Sequence, residues 1–192
     1  MEIFIRPAGP ADAEEIARVQ AISWRATYAR QLSAESLTRV EMAWDGRHWR
    51  HGLERVDDRA ITLVLEAREA GIVGFGVAGR RRSGRDPALQ PYEGEIYLLY
   101  LLPGFQGYGL GAKLTAALAR VLAARGMKSA LVWALATNRP AIGFYEHLGG
   151  AVLLRARKPF FGEPVEEIAL GWRDIQRLIG VTPRTRESDL GE

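Results

Sequence analysis

The 192-residue chain has no cysteine and only three histidines, His48, His51 and His147. Disulfides, thiolate metal sites and a cysteine nucleophile are therefore excluded, three histidines offer little to zinc, and no metal is expected. Long apolar runs are also lacking. The longest, 96–102 and 130–136, are seven residues each, against the ~18 needed to cross a bilayer. Met1-Glu2-Ile3 does not open a basic, apolar and small-residue series, so no secretion signal is expected and the expected location is cytoplasmic. Charge of one sign is scarce too: 26 Lys and Arg against 23 Asp and Glu leave +3. That excess suits weak attraction to any anionic ligand, and with no matching motif nucleic acid is not an expected partner. What is present, 47% hydrophobic and 26% charged residues, is the composition of a folded globular chain.

Ile3 to Arg6 alternates like a short strand, and Asp12 with Glu15 three residues later resembles a capping box opening the first helix. Ile16, Val19, Ile22 or Ser23, Trp24 and Tyr28 give that helix a buried stripe. Residues 34–56 read as further helix broken near Gly46, and Ile61–Ala67 with Ile72–Ala78 as a hairpin. Arg80 to Pro87 has no periodicity and reads as a loop. Glu95–Leu102 is apolar on both faces, hence central in a sheet covered on both sides. Leu110, Leu114, Leu118 and Val121 mark a helix ending at Gly126. Ser129–Ala136 is a second buried strand, Pro140–Leu148 a helix, and Val152–Arg157 and Val165–Trp172 two closing strands. The two buried strands, joined through a helix, are expected to be parallel in a mixed α/β (α+β) sheet. One domain is expected over residues 1–179, with a loose tail over 180–192.

The most informative stretch is Gln106-Gly107-Tyr108-Gly109-Leu110-Gly111-Ala112-Lys113, between a buried strand and a strongly periodic helix. Glycines let backbone approach a ligand, and a helix N-terminus offers unpaired N–H groups suited to pyrophosphate. A Walker loop fails here, because Ala112 separates Gly111 from Lys113. Gly107, Gly109 and Ala112 formally match a dinucleotide fingerprint, but no Asp or Glu lies between Lys113 and Tyr145 to hold a ribose. A tight turn holding no ligand is the remaining structural alternative.

Gln106, Gly109 and Gly111 fit Gln/Arg-x-x-Gly-x-Gly/Ala. With Pro103 before them, and with Asn138, Ala141, Phe144, Tyr145 and Leu148-Gly149 downstream, the chain resembles the GNAT superfamily of acyl-CoA-dependent N-acetyltransferases. The resemblance covers residues 1 to about 175. It implies a mostly antiparallel sheet of about seven strands, flanked by helices and splayed at strands 4 and 5, with acetyl-CoA as acyl donor. On the matching positions it implies that Gln106, Gly107, Tyr108, Gly109, Leu110, Gly111 and Ala112 wrap the pyrophosphate. Leu99, Tyr100 and Leu101 would pair with the pantetheine arm, and a main-chain N–H near Leu101 would stabilise the oxyanion. Asn138 would hold the cofactor by its amide, and Tyr145 would protonate the departing thiolate. Tyr145 read alone is a core aromatic beside Phe144.

An amine acceptor of pKa near ~10 must first lose a proton, which costs about 4 kcal/mol at neutral pH. Some family members carry a Glu five residues before the motif Asn; here that position is Trp133. Glu95 is the preferred base, often acting through water in the family, with Glu93 in reserve. Trp24, Tyr28, Tyr97 and Trp133, with Arg25, are candidate walls of an acceptor site, or simply core. The Arg80–Arg85 run either favours a carboxylate-bearing acceptor or has no role. The expected activity is direct acetyl transfer to a primary amine of a small molecule or peptide, since no cysteine can carry an acyl group. The alternative is a catalytically silent CoA-binding sensor or interaction module. The acceptor's identity is left open, as is a homodimer.

Overall fold

The computed structural model describes residues 2–28, 33–55, 59–82, 86–160 and 163–180. Residues 83–85 of the arginine segment and 181–192 of the tail lie outside the described residues.

In chain order the elements are β1 (Ile3–Pro7), α1 (Ala13–Tyr28), α2 (Ala34–Ala43), α3 (Gly46–Glu54), β2 (Ala60–Ala67), β3 (Gly71–Arg80) and β4 (Gly94–Leu101), followed by α4 (Leu110–Ala124), β5 (Ala130–Leu135), α5 (Arg139–His147), β6 (Ala151–Phe160), β7 (Glu163–Trp172) and the single turn α6 (Gln176–Ile179). The strands form one sheet of order β1-β2-β3-β4-β5-β7-β6. Every neighbouring pair is antiparallel except β4 and β5, which the α4 crossover makes parallel. Among the described residues no helix is long and apolar enough to cross a membrane.

Two apolar faces explain the layers. Leu110, Leu114, Leu118 and Leu122 recur every four residues along α4 and are all buried. At about 1.5–3 kcal/mol for each fully buried leucine, burial rather than helix propensity fixes α4 on its side of the sheet. The stripe thus ends on Leu122 rather than Val121, which is half-buried. On the opposite face α1 sets Ile16 and Val19 against Val64, Ile72 and Phe75. Its next inward position is Ser23, whereas Ile22 is exposed. Trp49 of α3 joins this layer, and its buried indole N–H donates to Gln20 Oε1 at 2.8 Å.

The start of α1 differs from the sequence expectation. A single 3-10 turn, Pro10–Asp12, precedes the helix, and the Asp12 carboxylate accepts the Gly9 N–H at 2.8 Å and both terminal nitrogens of Arg6 at 2.8 Å. Glu15 reaches across to accept the Ile72 N–H at 2.8 Å instead of closing a capping box on Asp12. The Arg6 guanidinium, through this pair of hydrogen bonds, holds the Asp12 carboxyl below its ordinary value. A carboxylate depressed in the folded state stabilises the fold above its ordinary pKa of about 4, and that contribution is lost as pH falls further through the folded value. Asp12→Asn is therefore expected to lower Tm by about 2–4 °C at pH 7, the shift for about 1 kcal/mol in a chain this size. Thermal melts should show the difference from the parent chain shrinking as pH falls below about 4.

Candidate active site

The site begins with one extra residue. Leu98 of β4 stands opposite Val77 of β3, but Ile96 stands opposite Ala78, so Tyr97 is a bulge. Alternation is inverted across it. Ile96 faces the α4 layer, Leu98 and Tyr100 face the α1 layer, and Leu99 and Leu101 turn back toward α4. Parallel pairing between β4 and β5 then stops after three steps, the last being Ile96 with Val132. Each strand remains paired with its outer neighbour, β4 with β3 as far as Leu101 and β5 with β7 as far as Leu135. A gap opens between them.

That gap is a cleft of about 670 Å³. Leu102 donates its N–H to Val73 of β3, and in an antiparallel ladder successive residues alternate direction, so the peptide groups of Leu99 and Leu101 face the gap. The Leu101 carbonyl accepts from Gln106 Nε2 at 3.0 Å and Ser23 Oγ at 3.3 Å. At the far end Gly109, with φ +73°, is the N-cap of α4, and no acidic side chain stands in that helix's first turn. The unpaired N–H groups of the first turn, with their partial positive charge, are left for a ligand. Gly107 has φ +84°, and a Cβ there would meet nothing within 4 Å. Backbone conformation and open space, not packing, account for glycine at that position. The loop therefore fits a diphosphate.

Across the gap, α5 is capped by Asn138, whose Oδ1 accepts the Ala141 N–H at 3.2 Å while its Nδ2 donates to the Tyr28 hydroxyl at 3.1 Å. Tyr145 lies in the last turn of α5, its ring against Phe144 at 5.1 Å and Trp172 at 6.1 Å. Trp172 in turn donates its indole N–H to the Leu148 carbonyl at 2.9 Å, which ties α5 to β7. Burial, and secondarily the nearby Tyr28 hydroxyl, push the Tyr145 phenol above its ordinary value. Tyr100 is raised in the same way, with burial the largest cause. Both phenols stay protonated at neutral pH.

The cleft brings together Leu99, Tyr100, Leu101, Gln106, Gly107, Gly109, Gly111, Ala112, Asn138 and Tyr145, with Tyr28, Tyr97 and Trp133. The other sequence candidates lie outside its lining. Tyr108 is exposed and Leu110 is buried at the start of α4. Trp24 sits behind the wall, its indole N–H donating to the Tyr100 hydroxyl at 2.8 Å. Glu95 is buried at the foot of β4, where it accepts the Arg82 N–H at 2.8 Å. Glu93 accepts the Lys128 N–H at 2.6 Å, also away from the gap.

Sequence reasoning missed three features: the hold of Ser23 on Leu101, the Tyr28–Asn138 bond, and Lys158, whose ammonium lies 3.6 Å from the centre of the Trp133 ring. Each joins residues far apart in the chain, beyond the reach of local spacing.

Residues 79–158, which contain the bulge, the glycine loop and α5, match the family model described as FR47-like protein. The chain is also 29% identical to an uncharacterized N-acetyltransferase, YuaI, of Bacillus subtilis, over 92% of this chain and 96% of that one. The chain is thus similar to N-acetyltransferases. A mycothiol acetyltransferase of a Nocardioides species is 32% identical over 74% of this chain, but the match spans only 47% of that longer protein. The crystal structure of the PaiA N-acetyltransferase from Thermoplasma acidophilum, in complex with coenzyme A, shares the GNAT fold with a TM-score of 0.70. It is 19% identical and aligned over 90% of this chain and all of that one.

Proposed function

We propose that the protein transfers an acetyl group from acetyl-CoA directly to a primary amine of a small molecule or peptide. The observation that carries this reading is the single cleft in which strand-edge peptide groups, a glycine-rich helix N-terminus and a buried phenol converge. The coenzyme A bound to the similar Thermoplasma protein supports the same donor here. Acetyl-CoA supplies an activated acetyl thioester. Residues 106–112 hold its diphosphate through main-chain N–H groups, and the Leu99 and Leu101 peptide groups pair with the pantetheine amides, as an added strand would. Asn138 has one amide hydrogen beyond its bond to Tyr28, and in this reading that hydrogen meets the same arm. Tyr145 donates its phenolic proton to the departing sulfur.

Glu95 is the proposed end point for the amine proton. Because it lies below the cleft lining, the proton reaches it through water. Glu95→Gln keeps an oxygen acceptor for the Arg82 N–H, so packing should persist while kcat falls by about 10²-fold. Circular dichroism and thiol-release kinetics check both halves, and an unchanged kcat removes Glu95 from the reaction.

The reading as a whole is tested by calorimetry with acetyl-CoA, followed by thiol release with a panel of amines. Binding at micromolar concentration with turnover on at least one amine is expected. Binding without turnover across the panel favours a silent sensor, and no heat at millimolar acetyl-CoA overturns the donor.

A further inference from the structure

The mouth of the cleft is framed by the first residues beyond the last β4–β5 pair, Tyr97 on one strand and Trp133 on the other. Both are aromatic, and both rings are already covered by a cation. The Arg82 guanidinium stacks 3.3 Å from the centre of the Tyr97 ring, whose hydroxyl donates to the Arg80 carbonyl. The Lys158 ammonium covers Trp133. One face of each ring is therefore occupied, and a second cation brought beside it would be repelled.

Of these two cations, Lys158 is balanced by a carboxylate and Arg82 is not. Glu167 accepts from Lys158 at 3.0 Å. Glu95 is buried and takes the Arg82 main-chain N–H, not its guanidinium. Among the described residues no carboxylate pairs with the guanidinium of Arg82, an exposed residue that lies over the Tyr97 ring. The indole N–H of Trp133 is a further buried donor with no partner among the described residues. The rim thus offers the Arg82 guanidinium as its donor and its unbalanced positive charge.

We propose that the acceptor amine carries a carboxylate, which docks on the Arg82 guanidinium with Lys158 beside it, so that Arg82 determines specificity for amino acids over simple amines. This rests on the acetyl-transfer reading above. A planar guanidinium matches a carboxylate through two parallel N–H donors. The same positive rim disfavours the ammonium form of an amine delivered beside it, which eases loss of the proton before attack.

The test is acetyl transfer by the full chain, read as thiol release, with α- and ω-amino acids, each beside its amide and its decarboxylated amine. Amino acids are expected to show a kcat/KM at least about tenfold above both counterparts, the discrimination of one charge-assisted hydrogen-bond pair. Arg82→Gln should abolish that preference mainly through KM, and Arg82→Lys should restore part of it. Equal or better use of the amides and decarboxylated amines, transfer to no carboxylate-bearing member, or a preference that survives in Arg82→Gln overturns the proposal. Such results with intact acetyl-CoA binding count against this inference alone. Absence of acetyl-CoA binding removes both it and the reading beneath it.

Discussion

Replacing Tyr145 by Phe is expected to lower kcat by about 10²–10⁴-fold while leaving the dissociation constant for acetyl-CoA within about twofold. The asymmetry follows from where the ring sits. Phe preserves the contacts with Phe144 and Trp172, and among the described residues the phenol oxygen has no hydrogen-bond partner whose loss would disturb the fold. What disappears is a donor that burial keeps protonated. Without it the sulfur departs as a thiolate unless water supplies the proton. Steady-state thiol release together with calorimetry separates the two quantities, and a parent-like kcat would show that the proton comes from elsewhere.

Gly109→Val should act in the opposite sense, on binding first. Residue 109 has φ +73° at the point where the loop becomes α4. A β-branched side chain is a genuine outlier in that region, so the loop must re-form with φ negative and aim its N–H groups elsewhere. The expected result is a rise in the acetyl-CoA dissociation constant of at least about 100-fold, equivalent to about 2.8 kcal/mol. The stripe of leucines that holds α4 should keep the domain folded, with Tm falling by a few degrees. A variant binding acetyl-CoA as the parent does would relocate the diphosphate away from residues 106–112.

Much of the architecture was legible because the signals were local. The four-residue spacing of leucines in α4, the apolar run of β4 and the glycine cluster each lie within one stretch of chain. Asn138 and Tyr145 sit seven residues apart, two turns of α5, which is why a short motif captures both. Asp12 shows the limit of local reading. A cap followed by Glu at the third position fits Asp12 and Glu15, yet the preceding 3-10 turn, Arg6 and the Ile72 N–H compete for those carboxylates and win. The walls of the cleft were less legible still. The bond from Asn138 to Tyr28 spans 110 residues and that from Trp24 to Tyr100 spans 76. Lys158 could not be assigned to Trp133 while the strand carrying it was expected to end at Arg157. Such pairings are decided by which strands lie side by side, and spacing along the chain does not encode that.

The surplus residue at Tyr97 makes the site a matter of parity. A strand with a two-residue repeat is indifferent to how many residues precede it, provided the count is even. Ile96 and Leu101 share a face although they stand five positions apart, an odd number, so a deletion of one residue there would exchange inside for outside along the rest of the strand. A change of two would keep each side chain on its face but slide the cation-covered rim relative to the phenol opposite. This short stretch therefore tolerates exchange of side chains far better than any change in their number.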